Sequence, residues 1–376
     1  MTVYDVAVVG LGAMGSAALY HLARRGKRII GFERETPAHL GGSSHGESRI
    51  IRLAYFEHSS YVPLLRRAYE NWRALESGSG AKLLTVTGIL EAGIPGSAVV
   101  QGSLAASRLH DLPHEMLTAR AIMDRFPATS LPSDWEGVFQ PDAGFLRPEK
   151  AIDTHIAGAK AAGAEVRLNT AVSAIEPTAG GVRLTLVDGT AIEAGAAVVS
   201  AGAWVGELIP ELRPHLRLTR QVIGWFAPKA PELVGPTRLP VFMLEDADGM
   251  VYGFPDFAGT GVKVGFHGPG RLWNSADEAR QDADKEDTDR LADFLGRYMP
   301  AAAGPAREAK TCIYTRTPDE DFIVDRHPDH PQIVIASPCS GHGFKFASVV
   351  GEITADLATA GQTRHDISRF AMGRLA

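Results

Sequence analysis

Short apolar runs separated by glycine-rich turns set the rhythm of this chain from its first residues. Val6–Val9 is four apolar positions in a row, the pattern of a parallel strand covered on both faces. Gly10, Gly12 and Gly15 follow as G-x-G-x-x-G. A helix is predicted over Ser16–Arg25, with basic residues in its last turn and Gly26 at its stop. A second strand is predicted over Arg28–Phe32, and Glu33 stands at its end, 18 residues beyond Gly15.

The pattern then changes several times. Pro37–Arg52 (PAHLGGSSHGESRIIR) is polar, glycine-rich and without period before Ile50, so it reads as a loop. Val62, Leu65, Tyr69, Trp72 and Leu75 recur at spacings of three and four, which predicts an amphipathic helix with Pro63 in its first turn and a break at Glu76–Gly80. From about Ala81 short apolar runs such as Leu83–Ile89 alternate with turns and a small helix near Thr118–Phe126. A helix over Arg147–Ala162 leads into a strand at Glu165–Leu168. Val182–Val187, Asp188-Gly189 and Thr190–Glu193 read as a hairpin, and Ala196–Ser200 as a separate buried strand entering the turn Ala201–Trp204.

Leu216–Gly268 is strand-rich. Ser275–Asp293 is dense in charge and reads as a solvated helix and loop face, with Leu291, Phe294, Leu295 and Tyr298 on its buried side. Ile333–Ala336 returns to parallel-sheet character, and after the turn Ser340–Gly343 a helix is buried through Val350, Ile353 and Leu357. There is no internal repeat. The alternation predicts an α/β chain of two interleaved domains: a Rossmann-like nucleotide domain from 1–80, 146–215 and 311–376, and an α+β domain on an antiparallel sheet from 81–145 and 216–310.

The opening segment has a mechanical reason for each part. The first glycine makes the tight turn, the second admits a pyrophosphate to the backbone, and the third lets helix and strand pack closely. The helix N-terminus offers free N–H groups to phosphate, and Glu33 is placed to accept from a ribose diol. Gly10, Gly12, Gly15 and Glu33 are therefore predicted to bind an adenine dinucleotide.

Composition narrows the partners. Over 376 residues, 38 Lys and Arg stand against 44 Asp and Glu, a net charge of −6, which disfavours nucleic acid and anionic membranes. No apolar run approaches the ~20 residues of a membrane span. The start, MTVYDVAVVG, has no basic n-region, and the two cysteines, Cys312 and Cys339, suit a reducing compartment. A cytoplasmic protein is expected.

Several strings hold candidate chemistry. SSHGESRIIR concentrates His45, Arg49 and Arg52. Two arginines three apart on an emerging helix would share a face and clamp a carboxylate or lie over a conjugated ring, or else pair at the surface with Glu47 and Glu57. In a strand over Gly261–His267, Lys263, Gly265 and His267 share one face. In KTCIYTR, Cys312 and Tyr314 share another, and Cys312 is either a buried inert thiol or a nucleophile toward an activated methyl carbon of a flavin. DRHPDH (Asp325–His330) has metal-type residues, but Pro328 and the lack of an outlying ligand cluster make it a turn, so no metal is expected. In SGHGFKF, Gly341 and Gly343 precede a helix and expose N–H groups suited to negative charge on a reduced flavin, with Lys345 available for a carboxylate. No G-x-S-x-G elbow supports a serine hydrolase.

Together, GLGAMG, SSHGESRIIR, YGFP with VKVGFH, TCIYT and SGHGFKF, in this order over Tyr4–Arg369, resemble the monomeric sarcosine oxidase and N-methyltryptophan oxidase family. The resemblance implies a glutathione-reductase-like, FAD-dependent amine oxidase that acts as a monomer on a small N-alkyl amino acid with oxygen. It implies covalent FAD through a thioether at Cys312, which leaves Cys339 an ordinary cysteine. By the same match Lys263 lies near flavin N5 and promotes oxygen reduction, and Arg49 lies near the ring. His45, Ser44 and Ser48 belong to the loop beside the flavin. Arg52 and Lys345 bind the substrate carboxylate, and Tyr252, His267 and Tyr314 line the substrate pocket. Ser44, Glu47 and Ser48 depart from the family's frequent SHHGDTR, and Pro338-Cys339 departs before SGHGFKF; these bear on the substrate side chain. Amino-acid, cyclic imino-acid or glycated-amine oxidation, a dehydrogenase using another acceptor, a nicotinamide enzyme, and a nucleotide-binding protein without catalysis are the alternatives.

Overall fold

Tyr4–Val9 lies inside an eight-stranded sheet, and its apolar run is covered on both faces as the pattern predicts. The structure, a computed structural model, describes residues 4–276, 282–337 and 340–375, so Pro338 and Cys339 lie outside the described residues, as does part of the charged stretch after Ser275. Ile29–Phe32 and Ala191–Val199 flank Tyr4–Val9 in parallel, and Glu165–Arg167 and Ile333–Ser337 extend the parallel set. The hairpin Val172–Thr178 with Gly181–Leu186 joins Ala191–Val199 antiparallel. The helix Ala13–Ala23 packs between Pro148–Ala161 and Ala347–Ala360, which is why it is buried nearly all round.

A second sheet of nine strands stands apart from the first. In spatial order it runs Arg271–Trp273, Arg217–Phe226, Val262–His267, Gly249–Phe254, Val241–Asp246, Ile89–Gly93, Glu136–Gln140 and Glu115–Thr118, with Ala306–Arg316 also paired to Arg217–Phe226. It is antiparallel except where Val241–Asp246 meets Ile89–Gly93. One face is covered by the helices Ala119–Arg125 and Lys285–Tyr298, through Phe226, Phe242, Leu244, Phe294 and Leu295. The other face carries the helix Ala98–Leu109 and, beyond it, the residues that look toward the first sheet. A small sheet of Arg49–Ile51, Gly144–Leu146 and Leu84–Val86 is built from segments that lead from one large sheet to the other.

Three expectations change. Ala191–Val199 is one continuous strand, where a hairpin strand and a separate buried strand were expected. Gly195 does not interrupt it, because it lies against Asp5 of the neighbouring strand, where a Cβ would come within 2.9 Å of a backbone oxygen. Arg49 begins a strand and not a helix, since residues 49–51 pair with 144–146. The expected boundary at 311 falls inside Ala306–Arg316, which belongs to the second sheet along its whole length.

Candidate active site

The nucleotide turn is built by contact. Gly10 has φ +84°, and a Cβ on Gly15 would stand 1.7 Å from the Gly10 carbonyl oxygen, so neither position admits a side chain. Ser200 Oγ donates to that same carbonyl at 2.7 Å. Glu33 is 5% exposed; its Oε2 accepts the Leu11 amide at 2.8 Å and its Oε1 the Glu35 amide at 3.2 Å. Its carboxylate is thereby fixed at the end of Ile29–Phe32, at one end of a cavity of about 480 Å³.

Gly10, Gly12, Ser43, Ser44, Arg49, Arg52, Tyr252, His267, Cys312, Tyr314, Gly341, Gly343 and Lys345 all line that cavity. Gly15, His45, Ser48 and Lys263 do not line it; they stand behind its wall. The loop 43–48 is that wall. Ser43 Oγ donates to Ile313 O at 2.7 Å, and Glu149 Oε1 accepts the amides of Gly46 and Glu47 at 2.6 and 2.9 Å. Arg49 donates back to the carbonyls of Ser48 and Ser43. Lys263 Nζ donates to the carbonyls of Gly46 and Ser48 at 2.6 and 2.7 Å and to Ser48 Oγ at 3.2 Å. Burial, and then the Arg49 guanidinium, push Lys263 well below the ordinary lysine range. His45 is 2% exposed with neither ring nitrogen hydrogen-bonded among the described residues, and burial lowers it to about 3, so it is neutral.

The sheet register puts the remaining groups on one face. Phe254 pairs with Lys263 and Tyr252 with Gly265, so the expected shared face of Lys263, Gly265 and His267 looks the same way as Tyr252. Cys312 and Tyr314 alternate onto a common face of Ala306–Arg316. Cys312 is 5% exposed; burial raises its thiol, while Arg49 and Lys263 pull in the opposite sense. Gly341 has φ +84°, and a Cβ there would come within 2.1 Å of the Tyr314 ring, so this turn and that ring are fitted to each other. Burial lowers His267 to about 3 and raises Tyr252 to about 12, which keeps both neutral.

Two cations converge at the far end. Arg52 is 1% exposed and Lys345 6%. Both lie on the Tyr55 ring, at 4.4 Å for the Arg52 guanidinium carbon and 5.0 Å for Lys345 Nζ. Tyr55 is held among Tyr61, His342 and Phe346. His342 Nε2 faces the Glu320 carbonyl at 2.9 Å, so it carries the proton, and Nδ1 accepts from Tyr55 Oη at 2.5 Å. Arg52 donates to Glu57 at 2.7 Å. Lys345 Nζ donates to His342 O at 2.8 Å, and burial followed by Arg52 lowers it to about 7. Arg49 and Arg52, expected on one face, take different partners: Arg49 donates to the loop 43–48 and Arg52 to Glu57.

Glu57, expected only as a surface partner of the arginines, pairs with Arg52 inside the protein, and Tyr55, Glu91, Glu149 and His342 escaped the sequence reading. A lone carboxylate in the apolar strand ILEAG was the available signal for Glu91; the others are brought in by tertiary packing alone. His327 and His330 stack at 5.0 Å in a turn, and no metal-type cluster occurs among the described residues. No helix there is long and apolar enough to cross a membrane.

One cavity joins Gly10, Gly12 and the fixed Glu33 carboxylate to the buried Arg52 and Lys345 and the neutral Tyr252 and His267, an arrangement that suits a dinucleotide-dependent oxidoreductase. Residues 5–357 match the family described as FAD dependent oxidoreductase. Monomeric sarcosine oxidase of Streptomyces avermitilis is 43% identical over 99% of this chain and 98% of its own. N-methyl-L-tryptophan oxidase of Yersinia pestis is 35% identical over 99% of each chain. The open form of NikD, an unusual amino acid oxidase essential for nikkomycin biosynthesis, superposes with a TM-score of 0.88 at 28% identity, over 99% of this chain and 98% of that one. The chain belongs to the FAD dependent oxidoreductase family, in its group of sarcosine and N-methyltryptophan oxidases. The residues present fit FAD: Gly12 lines the cavity, and a Cβ there would meet only Ser44 Oγ, at 3.7 Å, so the turn is open to a group lying against its backbone.

Proposed function

We propose that the protein oxidises the secondary amine of an N-alkyl amino acid of the sarcosine or N-methyltryptophan type, consuming oxygen and water and giving an aldehyde, a primary amine and hydrogen peroxide. Bound FAD supplies the two-electron acceptor and passes the electrons to oxygen. Arg52 and Lys345 hold the substrate carboxylate, and that anchor orients the N-alkyl carbon toward the middle of the cavity. Tyr252, His267 and Tyr314, all neutral, line the space around the amine and exclude water from it. The amine reacts without its proton, because its lone pair drives the transfer. Lys263, whose Nζ donates to three acceptors of the loop 46–48 as an ammonium does, supplies positive charge where reduced oxygen gains negative charge. Cys312 carries the cofactor as a thioether, Glu33 and the glycine turn hold its adenosine end, and the enzyme works as a cytoplasmic monomer. The interleaved division into a FAD domain and a substrate domain is part of the same reading.

The observation that carries it is the pairing of two buried cations on one aromatic ring, Arg52 and Lys345 on Tyr55, at the end of the cavity. Few ligands justify two buried positive charges better than a carboxylate. The test is anaerobic titration of the purified yellow protein with N-alkyl amino acids. Bleaching of the flavin band near roughly 450 nm, with recovery and peroxide on admitting air, supports the reading. A yellow protein that no secondary amine bleaches removes the substrate class.

A further inference from the structure

The strand Ile89–Gly93 carries one charge, Glu91, and buries it completely. Glu91 Oε2 accepts a short hydrogen bond from Gln140 Nε2. Its Oε1 lies 3.5 Å from Arg52 Nε without hydrogen-bonding alignment, and neither of these two atoms has a hydrogen-bond partner among the described residues. The groups facing Glu91 are few. Arg52 and Glu57 come from the segment after Arg49–Ile51, Ser103 from the helix Ala98–Leu109, and Gln140 from the adjacent strand. Lys345 acts on it from across Arg52, and Met243, paired on the other side, is uncharged. Arg52 therefore faces two carboxylates, and only Glu57 is hydrogen-bonded to it.

A substrate carboxylate on Arg52 and Lys345 is a third anion against at most two cations in a buried volume, since Lys345 is itself lowered to about 7. A buried charge without a partner costs several kcal/mol, so one anion must be neutralised. Glu57 is not that group: burial pushes it up, but Arg52, His342 and Lys345 together outweigh this and hold it at about 2. At Glu91 burial outweighs Arg52, and the carboxyl is raised to about 7.

We propose that Glu91 is the proton acceptor coupled to substrate binding: a carboxylate docking on Arg52 and Lys345 is accompanied by transfer of one proton from solvent to Glu91. Glu91 is then a positioning residue that acts through Arg52 and sets the pH range in which anionic substrates bind. The inference rests on the reading that Arg52 and Lys345 take the carboxylate. At pH below about 7, Glu91 already holds its proton and binding needs no uptake. Above that, the proton must come from solvent, and this coupling weakens affinity by about tenfold per pH unit.

The probe is propanoate, which has the carboxylate and no amine to oxidise. It is titrated into the FAD-loaded protein by calorimetry between pH 6 and 9, in buffers of different ionisation enthalpy. At pH 8 the wild type is expected to take up about one proton more than Glu91→Gln, whose affinity falls correspondingly less with pH and matches the wild type at pH 6. Equal uptake in the two proteins overturns the proposal while leaving the carboxylate site intact. Propanoate binding to wild type at pH 8 with no net uptake overturns it without any variant. Failure of propanoate to bind at every pH overturns both the proposal and the reading beneath it.

Discussion

Glu149 and Lys263 grip the same loop from opposite sides. The carboxylate takes the amides of Gly46 and Glu47, and the amine gives to the carbonyls of Gly46 and Ser48. Between them the peptide groups of 46–48 have little freedom, and the lysine is held at one place behind the cavity wall. A group fixed in this way stabilises charge that develops late, without rearranging to do so. Its effect should therefore fall on one half of the reaction.

Lys263→Met is expected to slow reoxidation of the reduced protein by oxygen on the order of 10²-fold, as removal of a preorganised electrostatic group does. Anaerobic reduction by the same substrate should stay close to wild type. Stopped-flow measurement of the two half-reactions separates them. Comparable loss in both would remove the assigned role.

Lys345 gives a prediction whose size depends on pH. Burial lowers it to about 7, so its charge is present below that pH and is lost above it. Lys345→Met should weaken a carboxylate ligand by roughly tenfold or more at pH 6, the cost of removing one partner of a buried charge pair. The gap should narrow by pH 9, where the wild-type lysine of the empty site is largely neutral. A difference that stays constant across this range would mean that Lys345 acts by shape alone.

The parts of this protein that could be read from sequence are those whose pattern is local. Val6–Val9, the three glycines and Glu33 declare themselves within 30 residues because one βα turn and its ligand contacts are made of consecutive chain. The helix Val62–Ser79 was equally visible through its apolar stripe, but it runs on through Glu76–Ser79, where a break was expected, and stops only at Gly80, whose φ is +72°. Ala98–Leu109 was not, because its buried face includes Ser103, Ala106 and Ser107, and the apolar repeat is too thin to see. Arg49 was misread as helical because its partner, Leu146, is far away in the chain. The cluster around Tyr55 was half legible: motifs named Arg52 and Lys345, and Glu57 stood as a surface partner for the arginines, but nothing local shows that Tyr55 and Glu91 join them.

Cys312→Ala tests the thioether directly. The side chain removed is small, so a loss of only ~1 kcal/mol is expected and the fold should survive. Acid precipitation of the wild type should leave the yellow colour in the pellet, whereas the variant should release it to the supernatant or never retain it. Colour that stays with the pellet of the variant would put the link, if any, elsewhere.

Gly341 is the position where backbone and pocket depend on one another most directly. Its φ of +84° is unfavourable for any side chain, and a Cβ would enter the Tyr314 ring at 2.1 Å. Gly341→Ala should therefore cost about 2–4 kcal/mol, combining left-handed backbone strain with displacement of a buried ring. Gly343, two residues on, has φ −77°, which any residue adopts, so Gly343→Ala carries no such backbone cost. Urea denaturation of the two variants measures the difference. Because Tyr314 lines the cavity, Gly341→Ala should also weaken carboxylate binding in the fraction that stays folded, a loss that general destabilisation would not produce. If both variants are equally stable, the fit between the turn and the ring does not hold this end of the site.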